Sequence, residues 1–585
     1  MTAPLSPSGN ASLRAAPLGS DETVAFEFEG RILQGRRGES LAAALTAAGE
    51  RELRIARDGR RGLFCGMGVC QECLVEIDGK PAQRACMTKL DGPIAVRRQP
   101  ATPGAPIPAA AVSTATPLAT PSASSEALAP EVLVLGGGAG GLNAAIAAAE
   151  AGARVVLVDE RPMPGGQFFK QRLDSPAVAH AIPDDGQFSG GRALLDRAKA
   201  AGVTIMAGCQ VWGAFEPLDL MIFDGRGSIL CRPQRLIVAT GAYERGLPVP
   251  GWTIPGVMTT GAAQTLLRSY GVLAGKRLLI AGNGPLNLQV ALELARAGAE
   301  IPAIAELATA PGMHSLGALA AMAASTPDLL RQGWGYTREL ARRKIPLHYA
   351  HVLAGVEKTE TGLRARLAPW PRADHVEAKA FDVDTVLMGY GFMPSNETLR
   401  ALGCRHEFDS GRGHLVCERN DDCRTSLEDV YAVGDCAGLG GARAAEAEGI
   451  IAGAAAAASL GHPVKSVAAA RHALARHRRF QSGLWRLFAA SRPMAGMAHP
   501  STLICRCEER SMSEIGEGFA QGSQALGAVK RLTRAGMGRC QGRYCGPVLA
   551  ALSADRESML GEAAFWAPRP PIKPIAIADI VAGSQ

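Results

Sequence analysis

Eight of the fourteen cysteines fall into two sets whose spacing suits metal or cluster binding. The first set has the pattern C-x4-C-x2-C-x12-C, and its members are Cys65, Cys70, Cys73 and Cys86. The second set has the pattern C-x-C-x32-C-x4-C, and its members are Cys505, Cys507, Cys540 and Cys545. Nothing in the amino-terminal sequence indicates export, so we expect a cytoplasmic protein whose thiols stay reduced. Metal-bound thiolates therefore explain these sets better than disulfides.

The first set matches the spacing of plant-type [2Fe-2S] ferredoxins. Residues 20–98 resemble the β-grasp ferredoxin domains that serve as small subunits of multicomponent flavoenzymes, with a predicted hairpin, a short helix and a strand-turn-strand unit. Gly66 and Gly68 should let the cysteine loop bend so that backbone N–H groups face the sulfurs. A four-cysteine zinc site is the alternative, but such sites usually show two C-x2-C pairs and this set has one.

The second set resembles the [2Fe-2S] domain of bacterioferritin-associated ferredoxins, at about residues 500–555. The stretch "TRAGMGRCQGRYC" contributes to this resemblance. Arg539 and Arg543 would offset the negative charge of a four-thiolate cluster. Zinc remains the alternative here as well, although C-x-C and C-x4-C are uncommon zinc spacings.

A glycine motif follows the apolar stretch "EVLVL" and opens an alanine-rich predicted helix. Its glycines are Gly136, Gly138 and Gly141, and the next predicted strand ends in the acids Asp159 and Glu160. Strand, glycines, helix, strand and acid in this order predict a Rossmann unit that binds a dinucleotide. The glycines allow the backbone to approach a pyrophosphate, and a carboxylate accepts a hydrogen bond from a ribose hydroxyl. This motif alone leaves FAD and NAD both open.

Three further stretches resemble the two-dinucleotide-domain flavoproteins related to disulfide reductases, and they favour FAD. They are "PGGQ" with Gly166 and Gln167, "VATGA" with Thr240 and Gly241, and "DVYAVGD" with Gly434 and Asp435. The resemblance implies that the Asp435 carboxylate binds the ribityl chain of the flavin.

A second strand-turn-helix unit contains Gly282 and Gly284, but Asn287 replaces the third glycine. Glu306 is the candidate for its matching acid. Two interpretations stay open: an NAD(P)H site, or a Rossmann domain kept for packing or for another nucleotide. The six cysteines outside the two sets form no C-x2-C or C-x4-C pair, so we expect small buried apolar residues and no dithiol chemistry. They are Cys209, Cys231, Cys404, Cys417, Cys423 and Cys436.

The 585 residues are enough for about three or four domains. The predicted fold class is α/β multidomain: a β-grasp ferredoxin-like domain, a Rossmann-like flavoprotein with two dinucleotide-binding domains, and a helical domain like bacterioferritin-associated ferredoxin. The predicted boundaries are 20–98 for the first domain, 99–130 for a flexible linker, 131–250 and 385–461 for the FAD-binding domain, 251–384 for the second Rossmann-like domain, and 462–585 for the carboxy-terminal region. The net charge of +7 is spread along the chain, which argues against nucleic acid as a partner. No apolar run is long enough for a transmembrane segment.

The order of modules resembles a ferredoxin-like small subunit fused to the flavoprotein α subunit of heteromeric amine and amino-acid dehydrogenases, such as the opine oxidase, D-hydroxyproline dehydrogenase and hydrogen cyanide synthase type. The resemblance implies FAD, two [2Fe-2S] clusters and a separate FAD-containing catalytic subunit that is similar to D-amino acid oxidase. It leaves open a second flavin at a subunit interface. The sequence shows no acid–base or nucleophile constellation, so no catalytic residue is predicted and we expect an electron-transferring subunit. One rival is a self-contained NAD(P)H-dependent reductase, and another is a scaffold with zinc at both cysteine sets.

Overall fold

A computed structural model describes residues 12–19, 21–101, 127–371, 378–493, 496–521, 525–553, 562 and 565–581. Most of the predicted linker at residues 99–130 lies outside the described residues. None of the helices in these ranges combines the length and the apolar character that crossing a bilayer requires.

The amino-terminal module is a five-stranded sheet covered by one helix. Its elements are β1 (Thr23–Phe28), β2 (Arg31–Arg36), α1 (Leu41–Ala47), β3 (Arg54–Ala56), β4 (Gly59–Arg61), β5 (Leu74–Ile77), β6 (Lys80–Arg84) and β7 (Ala95–Arg98). The strand order is β2-β1-β7-β5-β6, and β3 pairs with β4 separately. Alternate side chains of β1, from Val24 to Phe28, are buried in the same core as α1. The predicted hairpin (β1 and β2), helix (α1) and strand-turn-strand unit (β5 and β6) are confirmed.

The first Rossmann unit begins at β8, whose four residues are all buried. Its elements are β8 (Val132–Leu135), α2 (Ala139–Glu150), β9 (Val155–Asp159), α3 (Pro176–Ala181), α4 (Gly186–Ala200), β10 (Thr204–Ala207), β11 (Gln210–Phe215), β12 (Asp219–Phe223), β13 (Ser228–Cys231), β14 (Arg235–Val238) and β15 (Ala242–Glu244). Strands β8, β9, β10 and β14 are parallel, and parallel strands buried on both faces read as continuous apolar runs. Strands β11, β12 and β13 form a separate antiparallel sheet.

The second Rossmann unit repeats this design with its own parallel sheet. Its elements are β16 (Val257–Thr259), α5 (Thr260–Tyr270), β17 (Arg277–Gly282), α6 (Pro285–Arg296), β18 (Glu300–Glu306), α7 (Leu316–Ser325), α8 (Pro327–Arg342), β19 (Leu347–Tyr349), β20 (His351–Lys358), β21 (Leu363–Pro369), β22 (Lys379–Val383) and β23 (Thr385–Gly389). The next strand, β24 (Phe392–Pro394), pairs with β15 of the first unit. The strand order is β16-β23-β17-β18-β19. Because β23 lies inside this sheet, the unit extends to Gly389, past the predicted boundary at residue 384.

The chain then returns to the first unit. The returning elements are α9 (Glu397–Ala401), β25 (His406–Asp409), β26 (His414–Cys417), β27 (Val430–Ala432) and α10 (Ala442–Ala458). Strand β27 completes the first sheet, whose order is β10-β9-β8-β14-β27. Helix α10 packs closely against α2, since a Cβ on Gly449 or Gly453 would lie 2.2 Å from a carbonyl oxygen of α2.

The described residues of the carboxy-terminal region form five helices and two short strands. Its elements are α11 (Ala468–Leu487), β28 (Leu503–Cys505), β29 (Arg510–Ser511), α12 (Met512–Ala520), α13 (Leu526–Thr533), α14 (Gly546–Leu552) and α15 (Ile577–Val581). Helix α12 begins with a capping box in which Ser511 and Glu514 satisfy each other's backbone N–H groups.

Candidate functional site

The first cysteine set lies in the loop between β4 and β5 and just after β6. Its thiols interact in pairs, Cys65 with Cys70 and Cys73 with Cys86. The backbone N–H groups of Met67 and Cys70 point at the Cys65 sulfur, at 3.5 and 3.4 Å. The loop therefore directs N–H groups at a sulfur, as predicted.

Glycines shape this loop. Gly66 and Gly68 have φ values of 62° and 76°, a region that side chains rarely adopt. A Cβ on Gly66 would lie 3.1 Å from the Cα of Ala262 in helix α5. Gly66 thus also allows the cysteine loop to press against the second Rossmann unit.

The second cysteine set joins β28 to the loop before α14. Here Cys505 pairs with Cys545, and Cys507 pairs with Cys540. No disulfide joins any of the fourteen cysteines, all of which lie within the described residues. Trp566 packs on the loop, where a Cβ on Gly536 or Gly542 would lie 2.1 or 2.5 Å from its ring. Sequence reasoning missed this tryptophan, because nothing near the cysteine motif points to it.

In three of the four thiol pairs, one cysteine has a lowered pKa. Burial opposes ionisation of Cys65, but the Cys70 thiol and backbone N–H groups outweigh it and lower the pKa of Cys65 to about 6. The Cys507 thiol lowers the pKa of Cys540 to about 7, and the Cys545 thiol lowers the pKa of Cys505. Thiolates are the form that binds metal, so these sites are prepared for it.

The arrangement of the thiols in pairs bears on the two metal hypotheses. Across the residues that the structure describes, no three His, Cys, Asp or Glu side chains converge on one metal position. A zinc site needs four ligands around one ion, whereas a [2Fe-2S] cluster takes two thiolates on each of two irons. Two thiol pairs are the arrangement that a [2Fe-2S] cluster would use in each set.

The two sets are neighbours in space, although they lie on either side of the flavoprotein region in the sequence. Phe64 precedes Cys65 and Tyr544 precedes Cys545, and their ring centroids are 5.5 Å apart in an edge contact. Arg506 stacks on the Phe64 ring, with its guanidinium carbon 3.8 Å from the centroid.

Two arginines lie close to cysteines of the second set, as predicted. Arg543 is buried, donates to the Cys540 carbonyl at 3.1 Å and pairs with Glu397 at 2.9 Å. Arg539 is exposed and interacts electrostatically with Cys507.

The glycine motif of the first unit has the close contacts that a dinucleotide fold requires. A Cβ on Gly141 would lie 1.8 Å from the Gly136 carbonyl oxygen, and Gly138 is the N-cap residue of α2. Asp159 accepts hydrogen bonds from the backbone N–H groups of Gly137 at 2.6 Å and Arg161 at 2.7 Å. This carboxylate therefore fixes the glycine turn.

Glu160 has a different environment from the one predicted. It pairs with Arg84 of the amino-terminal module at 2.7 Å and with Lys573 near the carboxy terminus. Burial opposes ionisation of Glu160, but Lys573 and Arg84 outweigh it and lower its pKa to about 2. Glu160 thus ties three parts of the chain together.

The other flavoprotein motifs surround the same turn. A Cβ on Gly166 would lie 2.8 Å from the Cα of Gly138, and the Gln167 carbonyl accepts a hydrogen bond from Lys170. Thr240 donates to the Ser395 carbonyl at 2.6 Å. The neighbouring Gly241 has a φ of 70°.

The late Gly-Asp pair lies just before α10. The N–H group of Gly434 donates to Glu448 at 2.8 Å. The Oδ1 atom of Asp435 accepts from the N–H groups of Gly440 and Gly441, both at 2.9 Å. Both of these bonds use the same carboxylate oxygen, so Oδ2 can accept from a ligand hydroxyl, as a ribityl contact requires.

A single cavity of about 1760 Å³ connects these motifs. Its walls include Cys65 and most of the predicted cofactor residues, which are Gly136, Gly138, Asp159, Glu160, Gly166, Gln167, Thr240, Gly241, Gly434 and Asp435. Gly141, Gly282 and Gly284 do not line it. The cavity is large for one ligand, and its position fits FAD beside the first cysteine set.

The second unit reproduces part of this arrangement. Glu306 accepts from the Gly284 N–H group at 2.9 Å, as Asp159 does from Gly137. Asn287 is buried and donates to the Gly389 carbonyl at 3.0 Å, and a Cβ on Gly282 would lie 2.5 Å from its amide nitrogen. The amide thus links α6 to β23 where a third glycine would allow direct packing.

Two buried ionisable side chains on the cavity wall were missed by the sequence analysis. Lys170 donates to Gln264 at 2.8 Å, and burial lowers its pKa to about 7. Burial also raises the pKa of Glu244 to about 7, against a hydrogen bond from the Gly261 N–H group. Neither belongs to a motif, and they are far apart in the sequence, so only the fold brings them to one cavity.

The six other cysteines are all buried. Burial raises the pKa of Cys231 to about 12 and that of Cys423 to about 11. These thiols stay protonated at neutral pH, as expected for small apolar residues.

Three family models match the chain. They are "2Fe-2S iron-sulfur cluster binding domain" at residues 21–101, "Pyridine nucleotide-disulphide oxidoreductase" at 130–461 and "Sarcosine oxidase A3 domain" at 500–584.

Relatives with known names match over most of the chain. One subunit of the opine oxidase of Rhizobium meliloti (strain 1021) is 32% identical, over 77% of this chain and 98% of the relative. Hydrogen cyanide synthase subunit HcnB of Pseudomonas aeruginosa is 32% identical, over 71% of this chain and 90% of the relative. The structure of L-proline dehydrogenase from P. horikoshii covers 97% of this chain and 99% of its own at 18% identity with a TM-score of 0.70, which shows a shared fold.

Proposed function

This chain belongs to the pyridine nucleotide-disulphide oxidoreductase family, and we propose that it is the electron-transferring FAD and [2Fe-2S] subunit of a heteromeric amino-acid or secondary-amine dehydrogenase or oxidase. The family is one of flavin-dependent oxidoreductases, and the matched domains support FAD and one [2Fe-2S] cluster. The second cluster, at the carboxy-terminal cysteines, is part of the proposal.

One observation carries the proposal: the glycine-lined cavity, the first cysteine set and the second cysteine set are contiguous. Cys65 lines the cavity, and Phe64 next to it contacts Tyr544 of the second set. Electron transfer requires short distances between centres, and this arrangement provides them.

The chain's own residues would hold the cofactors as follows. FAD would bind along the glycine turn and Asp435, and each cluster would bind to one set of four cysteines. FAD supplies exchange between two-electron and one-electron chemistry, and a [2Fe-2S] cluster carries one electron at a time. The protein's part is to keep these groups close, buried and shielded from water.

The catalytic subunit would be a separate protein. The relatives are named as subunits, one of opine oxidase and one of hydrogen cyanide synthase. We infer that a D-amino-acid-oxidase-like FAD subunit oxidises the amine and that this chain accepts the electrons in the cytoplasm. The amino-terminal match to a [2Fe-2S] domain supports a ferredoxin-like small subunit fused to the flavoprotein.

Purification of the chain alone and together with its partner tests the proposal. Alone, the protein should contain FAD, iron and acid-labile sulfide, give two rhombic electron paramagnetic resonance (EPR) signals on reduction, and lack amine dehydrogenase activity. The partner should restore that activity with an artificial acceptor. Full activity of the chain alone, or zinc without sulfide, would contradict the proposal.

A self-contained NAD(P)H-dependent reductase is the second candidate. The hydrogen bond between Gly284 and Glu306 favours it, because the same bond fixes the glycine turn in the first unit. Asn287 at the third glycine position argues against NAD(P)H binding in this unit. Rapid mixing of the oxidised protein with NADH or NADPH distinguishes the two functions, since prompt bleaching of the flavin would support the reductase.

A further inference from the structure

One cysteine of the second set, Cys507, is a partly exposed residue. Cys86 and Cys507 are the two cluster-motif cysteines that are partly exposed, and the other six are buried. Cys86 lines a small cavity together with Met163 and Lys170. Cys507 lies under the loop that contains Gly538, where a Cβ would lie 2.3 Å from the Cβ of Cys507.

The surface around Cys507 combines positive charge with exposed apolar side chains. We call it the Cys507 face and define it by Arg57, Leu532, Arg534, Met537 and Arg539. Leu532 is 53% exposed and Met537 is 41% exposed, although most large apolar side chains of this chain are buried. The three arginines are exposed as well.

The carboxylates near the Cys507 face already form ion pairs or hydrogen bonds with other groups. Glu508 pairs with Arg534 at 2.9 Å. Glu509 accepts from the Arg57 backbone N–H group at 2.7 Å and lies 3.9 Å from Arg54. Within the described ranges, the Arg57 and Arg539 guanidinium groups have no carboxylate at ion-pair distance. Positive charge therefore exceeds negative charge here.

We propose that the Cys507 face docks an acidic one-electron carrier protein, which takes electrons from the second cysteine set. The proposal rests on the proposed electron-transfer function and adds the exit point and the chemistry of the acceptor. In each encounter the chain loses one electron and the carrier gains one, and no atom or proton is transferred. Two carrier molecules are reduced for each two-electron oxidation of an amine.

The composition of the face suits such a partner. Exposed arginines attract an acidic protein and increase its association rate at low salt. Leu532 and Met537 can be covered at the centre of a small contact, which is typical of transient redox complexes. Cys507 is the partly exposed cysteine of the second set, so an external protein can approach this set from the Cys507 face.

The test uses the full holoprotein and an acidic plant-type [2Fe-2S] ferredoxin as the probe. The variant is Arg57→Gln with Arg534→Gln, and Arg539 is left in place because it interacts with Cys507. The control is Arg364→Gln with Arg277→Gln, which removes two exposed arginines from the second Rossmann unit. We expect the Cys507-face variant to weaken ferredoxin binding and slow its reduction about three- to tenfold at low salt, while the control changes neither.

Two further measurements, one at higher ionic strength and one with a second carrier protein, extend this test. Raising the ionic strength should reduce the difference between wild type and variant, since screening shortens the range of the arginine charges. A basic c-type cytochrome should bind more weakly than the ferredoxin. Equal binding of both carriers, or equal losses in variant and control, would overturn the docking proposal.

A neutral quinone separates this proposal from the proposed function. If the quinone reoxidises the reduced clusters, as followed by EPR, but the ferredoxin does not bind in a salt-dependent way, the docking proposal fails alone. If the reduced protein shows no cluster signals at all, the proposed function fails first.

Discussion

At the scale of residues, the motif cysteines differ from the other buried cysteines in the groups that surround their thiols. Each set contains two thiol pairs, and Cys65, Cys505 and Cys540 each have a lowered pKa because their partner thiol stabilises the thiolate. Buried thiols without such partners, such as Cys423, have raised pKa values. Pairing therefore explains why motif cysteines and isolated cysteines should behave differently on substitution.

Replacing Cys545 by serine should remove one cluster and leave the other. We expect iron to fall from about four to about two atoms per chain, because each [2Fe-2S] centre contains two irons. One of the two EPR signals should disappear. Cys404→Ser is the control, since Cys404 is equally buried but outside both sets. Unchanged iron in Cys545→Ser would mean that the second set binds no cluster.

A buried histidine should make the fold sensitive to acid. His414 is fully buried, and burial together with the nearby Arg245 guanidinium lowers its pKa to about 4. The unfolded state binds a proton near pH 6.5 that the folded state binds only near pH 4, so stability is lost as the pH falls through this window. The loss should approach about 3 kcal/mol at the lower end.

His414→Gln should reduce the dependence of the free energy of unfolding on pH in this acidic range. Urea unfolding between about pH 7 and pH 4 measures it, with His472→Gln as the control because His472 is exposed. If His414→Gln follows the same pH dependence as wild type, His414 does not contribute to acid sensitivity.

At the scale of elements, the sequence predicts the parts better than their contacts. The alternation in β1 and β2 and the glycine turns before α2 and α6 are local patterns, so these elements could be predicted. The boundary at residue 384 differs from the structure because β23 returns to the second sheet through pairing with β16 and β17, which no local pattern encodes. The roles of Glu160 and Lys170 also depend on distant contacts and could not be predicted.

The contact between the cysteine loop and α5 can be tested with two glycines. Gly66 and Gly79 both have positive φ values, but a Cβ on Gly66 would meet Ala262 at 3.1 Å and one on Gly79 would meet nothing within 4 Å. Gly79→Ala should cost about 1 kcal/mol from backbone strain alone. Gly66→Ala should cost more and should change the EPR signal of the first cluster, because the loop must move away from α5. Equal thermal stabilities of the two variants would contradict this contact.

At the scale of the whole molecule, three domains meet around the cysteine sets. Lys573 and Arg84 converge on Glu160, and Arg506 of the carboxy-terminal region reaches the ring of Phe64 in the amino-terminal module. The sequence places the two cysteine sets at opposite ends of the chain, so their proximity is a result of tertiary structure. This proximity turns separate cofactor motifs into one candidate electron path.

Glu72 is the residue on which this assembly most depends. Its buried carboxylate lies 3.2 Å from Arg54, 3.5 Å from Arg61 and 3.5 Å from Arg506, so it joins the amino-terminal module to the carboxy-terminal region. In Glu72→Gln, Arg54 and Arg61 keep Glu509 and Asp58 as partners. The buried Arg506 loses the carboxylate with which it pairs, which should destabilise the contact by about 3 kcal/mol. Hydrogen exchange in residues 503–511 should accelerate, and electron transfer between the two clusters should slow. Glu22→Gln is the control, because Glu22 is an exposed partner of Arg37. If exchange in 503–511 is the same in both variants, the two cysteine sets are held together by their aromatic contacts and not by this charge cluster.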